Sequence, residues 1–455
     1  MILRSINPKI ISFSFLILPI IFSSISVWQI ENIQYSYYIL SLYSCLTIVL
    51  SFCVIYVLGH KATSLFSLFL ITYAVFLLGR FFYFLIGGDQ EIFYISYFVY
   101  YTLNSEEALK VTLYVASVVP FMTAGWLLTT EKNKINYEFS DYEITNSAKF
   151  ILWFFIFSSV SIILLKSASG LINVLSGGYH VLYQNQGESY QASGFSRTFF
   201  YCIIGLTFSF GNRLQIKFII FSLLILGVML IVSGQRGGFV TILLFLLWVY
   251  GINNRVSWLS LLKYMAIFIV LLMTMSFISF RALDTEASVF NFLESTLYSQ
   301  GFSMMVFDAS TKVDEYPLLP LLQSFIPGAS RIASLFIDMD SSMVSYGGYM
   351  ASELNRGAYE NGQGLGWTIP SSFYVWAQGN IFIYWNLAFL FGCVFGLLEK
   401  KSFKNKFYFG LVASLAINLF FLSRDQFSSI FPQIIYFSIF YVFFVSVNKL
   451  FFKSR

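Results

Sequence analysis

The chain has 455 residues, of which 58% are hydrophobic, 20% aromatic and only 11% charged, with a net charge of +5 and a mean hydropathy of +0.74. A soluble globule carries roughly 25% charged residues to cover its surface, so this composition excludes an array of soluble domains and leaves lipid as the surrounding medium. Two histidines, His60 and His180, lie far apart in sequence, and Cys45, Cys53, Cys202 and Cys393 all fall in apolar segments without a CxxC pair; a His-based metal centre and a disulfide framework are both disfavoured.

In chain order, apolar runs of spanning or near-spanning length lie at about 9–29, 38–58, 62–85, 110–129, 147–166, 197–210, 216–233, 237–251, 259–280, 376–398, 407–422 and 428–448. No small-residue cleavage pattern follows the first, which reads as a span and not as a removable leader. A helix needs about 20 residues to cross roughly 30 Å of hydrocarbon, and only helices or closed barrels satisfy their backbone there. The runs lack period-2 alternation. They predict an all-α, polytopic integral membrane protein with about twelve transmembrane helices.

Lys and Arg set the orientation. With the N-terminus inside and the runs alternating, 17 of the 27 basic residues fall on short inner loops and tails, and both termini are cytoplasmic. The expected organisation is helices one to nine over 1–280, a large outer loop over 281–375, and helices ten to twelve over 376–455. A first outer loop, rich in Gly, Ser, Tyr and Gln, is expected at 167–196. The large loop carries Pro317, Pro320, Pro327 and Pro370 beside apolar stretches such as LLPLLQSFIPG, a pattern of short helices lying on a membrane face. Loops of this size are functional or disordered.

Sorting the basic residues by type gives a sharper signal. The inner side holds 13 Lys and 4 Arg, the outer side 3 Lys and 7 Arg: Arg80, Arg197, Arg236, Arg281, Arg331, Arg356 and Arg424. Orientation alone does not demand that switch. Guanidinium is a planar, permanent, two-pronged donor suited to phosphate, whereas ammonium is a point charge. Arg236 sits in Ser233-Gly234-Gln235-Arg236-Gly237-Gly238, where glycines permit a tight turn and close backbone approach; the competing reading is a solvated turn. Arg424 in Leu422-Ser423-Arg424-Asp425-Gln426 repeats the arrangement, with a self-neutralising surface pair as its alternative. Arg281 follows the ninth run and could equally anchor at the interface. Arg331 closes SFIPGASR, a turn into a helix start that would favour anions. Arg80 lies near the outer end of the third run, where snorkelling and ligand binding are both open. Asp338 and Asp340 are the leading general-base candidates in the large loop, with Glu353 and Asp308 behind them, and a solvated surface role is open for each. Trp367, Tyr374 and Trp376 suit stacking on sugar faces or an interfacial belt. No Walker loop, GxSxG or HExxH is present, and nucleic-acid binding has no support.

The SGQRGG turn, the large loop with SFIPGASR, the IPSSFYVWAQGN segment entering the next span and the late LSRDQF together resemble the bacterial O-antigen polymerases, the Wzy-type oligosaccharide repeat unit polymerases. The topology agrees over the whole chain and the motifs over 233–426. The resemblance implies a membrane glycosyltransferase of the bacterial inner membrane, facing the periplasm, that joins undecaprenyl-pyrophosphate-linked oligosaccharide units without cofactor or metal. It places outer arginines, here Arg236, Arg281, Arg331 and Arg424, in the functional role. It also implies a flippase and a chain-length regulator as partners. An O-antigen ligase is disfavoured because 281–375 contains no His. A flippase or transporter would show short loops and repeat symmetry, and neither is visible.

Overall fold

The computed structural model describes residues 8–28, 36–131, 144–177, 186–278, 289–336 and 339–453. Helices α1 (Pro8–Trp28), α2 (Tyr37–Val57), α3 (Leu65–Leu77) and α4 (Gly79–Leu85) lead to a hairpin, β1 (Tyr94–Tyr97) and β2 (Val99–Thr102). Then follow α5 (Ser105–Thr129), α6 (Asn146–Gly177), α7 (Gln186–Phe210), α8 (Arg213–Val232), α9 (Arg236–Asn253) and α10 (Trp258–Ile278). Among the described residues, eight helices are long and apolar enough to cross a membrane, or nine if the bent pair α3–α4 is one span. That is fewer than the twelve runs of the sequence. The described apolar parts of α1 and α10, Ser12–Val27 and Trp258–Leu271, are shorter than a full span.

Two expectations need correction. The run at 62–85 is not one straight helix: α3 and α4 meet at 69°. Gly79 faces Gly301 at the break, where a Cβ would lie 2.7 Å from the Leu297 carbonyl oxygen, so tertiary packing sets this kink. The segment expected as a loop over 167–196 is helical up to Gly177 and again from Gln186, because Leu171, Ile172, Val174 and Leu175 continue the apolar face of α6.

The stretch after α10 folds as short helices: α11 (Val289–Gln300), α12 (Ser303–Thr311), α13 (Leu318–Phe325), α14 (Ala329–Ala333), α15 (Tyr346–Leu354), α16 (Arg356–Glu360) and α17 (Ile369–Trp376). Helices α18 (Ile381–Ser402), α19 (Lys406–Phe421) and α20 (Phe431–Lys453) complete the chain. Helix α13 turns Pro320 and Ser324 inward and exposes Leu318 and Leu322, while Ile332, Leu335 and Phe336 beyond it are also exposed. This inverted pattern suits a segment lying against lipid.

The bundle packs as membrane helices do, through small residues and interhelical hydrogen bonds. On α5 and α18, a Cβ on Gly125 would run into the Phe389 carbonyl and one on Gly392 into that of Met122. Thr129 Oγ1 donates to the Cys393 carbonyl at 3.0 Å and Trp385 Nε1 to Ser117 Oγ at 2.8 Å across the same seam. Because successive long helices alternate, α4, the hairpin, the starts of α5 and α9 and the whole 289–376 stretch gather at one end of the bundle.

Candidate functional site

At this end the SGQRGG motif is the hinge between α8 and α9. Ser233 caps α8, Gly234 takes the left-handed conformation at φ +81°, and the Gln235 N–H returns to the Leu230 carbonyl at 2.8 Å. Helix α9 begins at the half-buried Arg236, so this cation is carried by the first residue of an 18-residue helix whose N-terminal N–H groups also favour an anion. Gly237 has a packing reason for lacking a side chain: a Cβ there would sit 3.0 Å from the Phe421 ring.

Phe421 ties this hinge to LSRDQF. It ends α19, meets Phe76 of α3 edge-on at 6.0 Å between centroids, and runs directly into the 3-10 turn Leu422–Arg424. The Arg424 guanidinium lies 5.9 Å from the centre of the Phe76 ring, and its Nη1 donates to Gln300 Oε1 at 3.3 Å. The hinge that carries Arg236, through Gly237, and the turn that carries Arg424 therefore meet one aromatic pair, Phe421 and Phe76, at one end of the bundle. Around them, Thr296 Oγ1 (one turn before Gln300 on α11) and Ser423 Oγ are buried without a hydrogen-bond partner among the described residues, which leaves donors open to a polar occupant. Asp425 turns its carboxylate onto the Gln426 N–H at 2.8 Å. Burial raises its pKa, against the pull of that N–H, Ser429 and Arg197.

The other expected residues fall elsewhere. Arg80 is 3% exposed. Its Nη1 donates to the carbonyls of Ile92 and Tyr94 at 2.8 and 2.6 Å, its Nε to that of Tyr298 at 3.3 Å, and it stacks on the Tyr298 ring at 4.3 Å. It fastens the hairpin and α11 to α4. Arg331 is exposed on the five-residue α14, after Gly328 at φ +81°. Asp340 caps the 3-10 turn Ser341–Val344 and pairs with Arg356 at 3.3 Å; the Ser342 N–H, then the Arg356 charge, hold its carboxyl below the usual range. Trp367 is buried, stacked on Tyr346 at 5.2 Å, with its N–H given to Ser372 Oγ. Tyr374 packs on Tyr114 and Phe307, and Trp376 lies 4.8 Å from Phe427 with its N–H on the Tyr346 hydroxyl. These rings form the core of the 289–376 segment. Arg281 and Asp338 lie outside the described residues.

Sequence reading missed Gln300, whose pairing with Arg424 crosses 124 residues, and gave Arg197, one of the outer arginines, no separate role, although the fold places it near Asp425. No group of three or more His, Cys, Asp or Glu that could hold a metal occurs among the described residues.

A family model described as O-antigen polysaccharide polymerase Wzy matches residues 10–455 of the chain. No curated protein and no solved structure matches it.

Proposed function

The chain belongs to the O-antigen polysaccharide polymerase Wzy family, and on that premise we propose that it joins polyprenyl-pyrophosphate-linked oligosaccharide units at the periplasmic face of the inner membrane. The observation that carries this reading is that the hinge bearing Arg236, through Gly237, and the Arg424 guanidinium meet the same Phe76–Phe421 pair.

In the reaction, a hydroxyl oxygen of the acceptor unit attacks the anomeric carbon at the reducing end of the growing chain. The bond from that carbon to the pyrophosphate oxygen breaks, and its electron pair leaves with the lipid pyrophosphate, which gains one negative charge. Arg236, the N-terminus of α9 and Arg424 stabilise that charge, and fixed donors in a site poor in water do so without reorganising. Arg281 is the third arginine of this set. The acceptor's proton goes to a carboxylate of the large loop. Asp340, held low by Ser342 and Arg356, is a weak base, so Asp338 is the better of the two sequence candidates.

Deleting the gene in its native host tests the reading. The expected surface glycolipid carries a single repeat unit, with export and attachment intact. A surface without any repeat would point to a flippase, and polymer retained on its carrier would point to a ligase.

A further inference from the structure

At the same end of the bundle, but between α5 and α12, lies a second polar cleft of about 200 Å³. Glu107, Lys110, Tyr114, Asp308, Thr311 and Lys312 line it. The volume equals roughly seven waters at about 30 Å³ each, enough for one pyranose ring and too little for a chain. Two carboxylates face two ammonium groups, so the cleft has no net field to draw a diphosphate. Instead it alternates strong acceptors with strong donors over a short span, as vicinal sugar hydroxyls require. The Tyr114 and Phe307 rings, 5.7 Å apart, supply an apolar edge for the C–H face of a sugar.

The cleft is built and braced. Asp308 is only 4% exposed; the Tyr101 hydroxyl donates to its Oδ2 at 2.7 Å, and Lys312 Nζ stands 3.7 Å from the same oxygen. Lys312 also reaches Glu107 at 3.5 Å and lies over the Tyr101 ring at 4.4 Å. Glu107 is fixed by the capping box that opens α5. Tyr101 is held in turn by the hairpin, which Arg80 grips at Ile92 and Tyr94 and Asn355 grips at the Phe98 carbonyl, at 2.8 Å. Arg80 thus acts on this cleft through the hairpin.

We propose that this cleft is a saccharide subsite that receives one uncharged or zwitterionic sugar of the acceptor repeat unit while the donor's pyrophosphate sits at Arg236 and Arg424. The proposal rests on the polymerase reading. Two probes separate the sites: repeat-unit oligosaccharide freed of its lipid pyrophosphate by mild acid, and inorganic pyrophosphate. With the full-length protein in nanodiscs, the free oligosaccharide should protect 303–312 from hydrogen exchange and inhibit polymerisation of the lipid-linked unit, whereas pyrophosphate should leave 303–312 unprotected. Thr311→Trp, which fills the cleft from a half-exposed position, should abolish that protection and raise KM for the lipid-linked unit at least tenfold. Arg236→Ala should keep the protection while losing polymerisation. If Thr311→Trp unfolds the protein, Lys110→Ala, at the exposed rim, carries the same test with a several-fold rise in KM. A wild type that polymerises while both variants keep its KM overturns the subsite and leaves the polymerase reading standing. A wild type that does not polymerise, with normal chain length in the deletion strain, removes both.

Discussion

The two ends of the bundle carry charges of the same sign on different chemistry. At one end, lysines serve helix C-termini: Lys61 donates to the carbonyls of Gly251 and Ile252 at the close of α9, and Lys9 to that of Thr130 at the close of α5. Lys400 and Lys404 share Glu131 beyond α5. Each is a point charge set against the negative end of a helix or a carboxylate, the role expected of topological anchors. At the other end, arginines stand among aromatic rings and polar side chains. Arg80 is spent on carbonyls, whereas Arg424 and the hinge that carries Arg236 border the Phe76–Phe421 pair. Position relative to the membrane accounts for the lysines, and under the proposed function a ligand accounts for these two arginines.

The largest effect should come from these two arginines. Arg236→Ala and Arg424→Ala should each lower the polymerisation rate by about 10²–10³-fold, read as single-unit glycolipid in cells at normal protein level. Lysine at either position should restore only part of the rate, because it keeps the charge and loses the fork. Normal chain length in both alanine variants would dissolve the distinction between the ends.

Arg80 sharpens it from within the arginine end. Its three carbonyl acceptors contribute about 1 kcal/mol each, so Arg80→Ala should cost about 3 kcal/mol of stability and lower melting temperature and activity together. A variant with full stability and no activity would return Arg80 to ligand binding.

Asp308 gives a smaller, pH-dependent effect. Burial raises its carboxyl pKa, and Tyr101 and Lys312 offset part of the rise. A raised folded pKa means that this group's stabilising contribution is fully present below the unfolded value near 4 and is lost as pH rises through the folded one. Asp308→Asn should therefore melt no lower than wild type at pH 7, and its relative advantage should vanish below about pH 4. A melting-temperature series against pH reads this directly, and an advantage that grows on acidification would reverse the sign.

Helices were legible in the sequence wherever an apolar run was uninterrupted, because lipid permits little else. The failures had both tertiary and local causes. Gly79 looked like part of a span until Gly301 came against it. The hairpin was invisible because YISYFVYYT has no Gly or Asn at its turn; Phe98 makes it, at φ 73°, a conformation uncommon outside glycine. Among site residues, the outer arginines stood out by type, yet nothing local separated Arg80, which fastens the hairpin, from Arg424. That difference lies in partners more than a hundred residues away, Tyr298 for one and Gln300 for the other.

The smallest effect should fall at the lysine end. Lys400 and Lys404 approach Glu131 at 2.5 and 3.1 Å, and all three side chains reach solvent. The pair holds the Glu131 carboxyl below its usual range, through the lysine hydrogen bonds first, yet exposed pairs are screened and contribute little. Lys400→Ala with Lys404→Ala should leave melting temperature, chain length and orientation unchanged, since Lys401, Lys406, Lys449 and Lys453 still mark the same side. Epitope accessibility on each face of the membrane, measured beside chain length, makes the result decisive. Inverted insertion would show that two lysines outweigh the rest of the end, and shortened polymer with correct insertion would place catalytic influence at an end that the comparison assigns to anchoring alone.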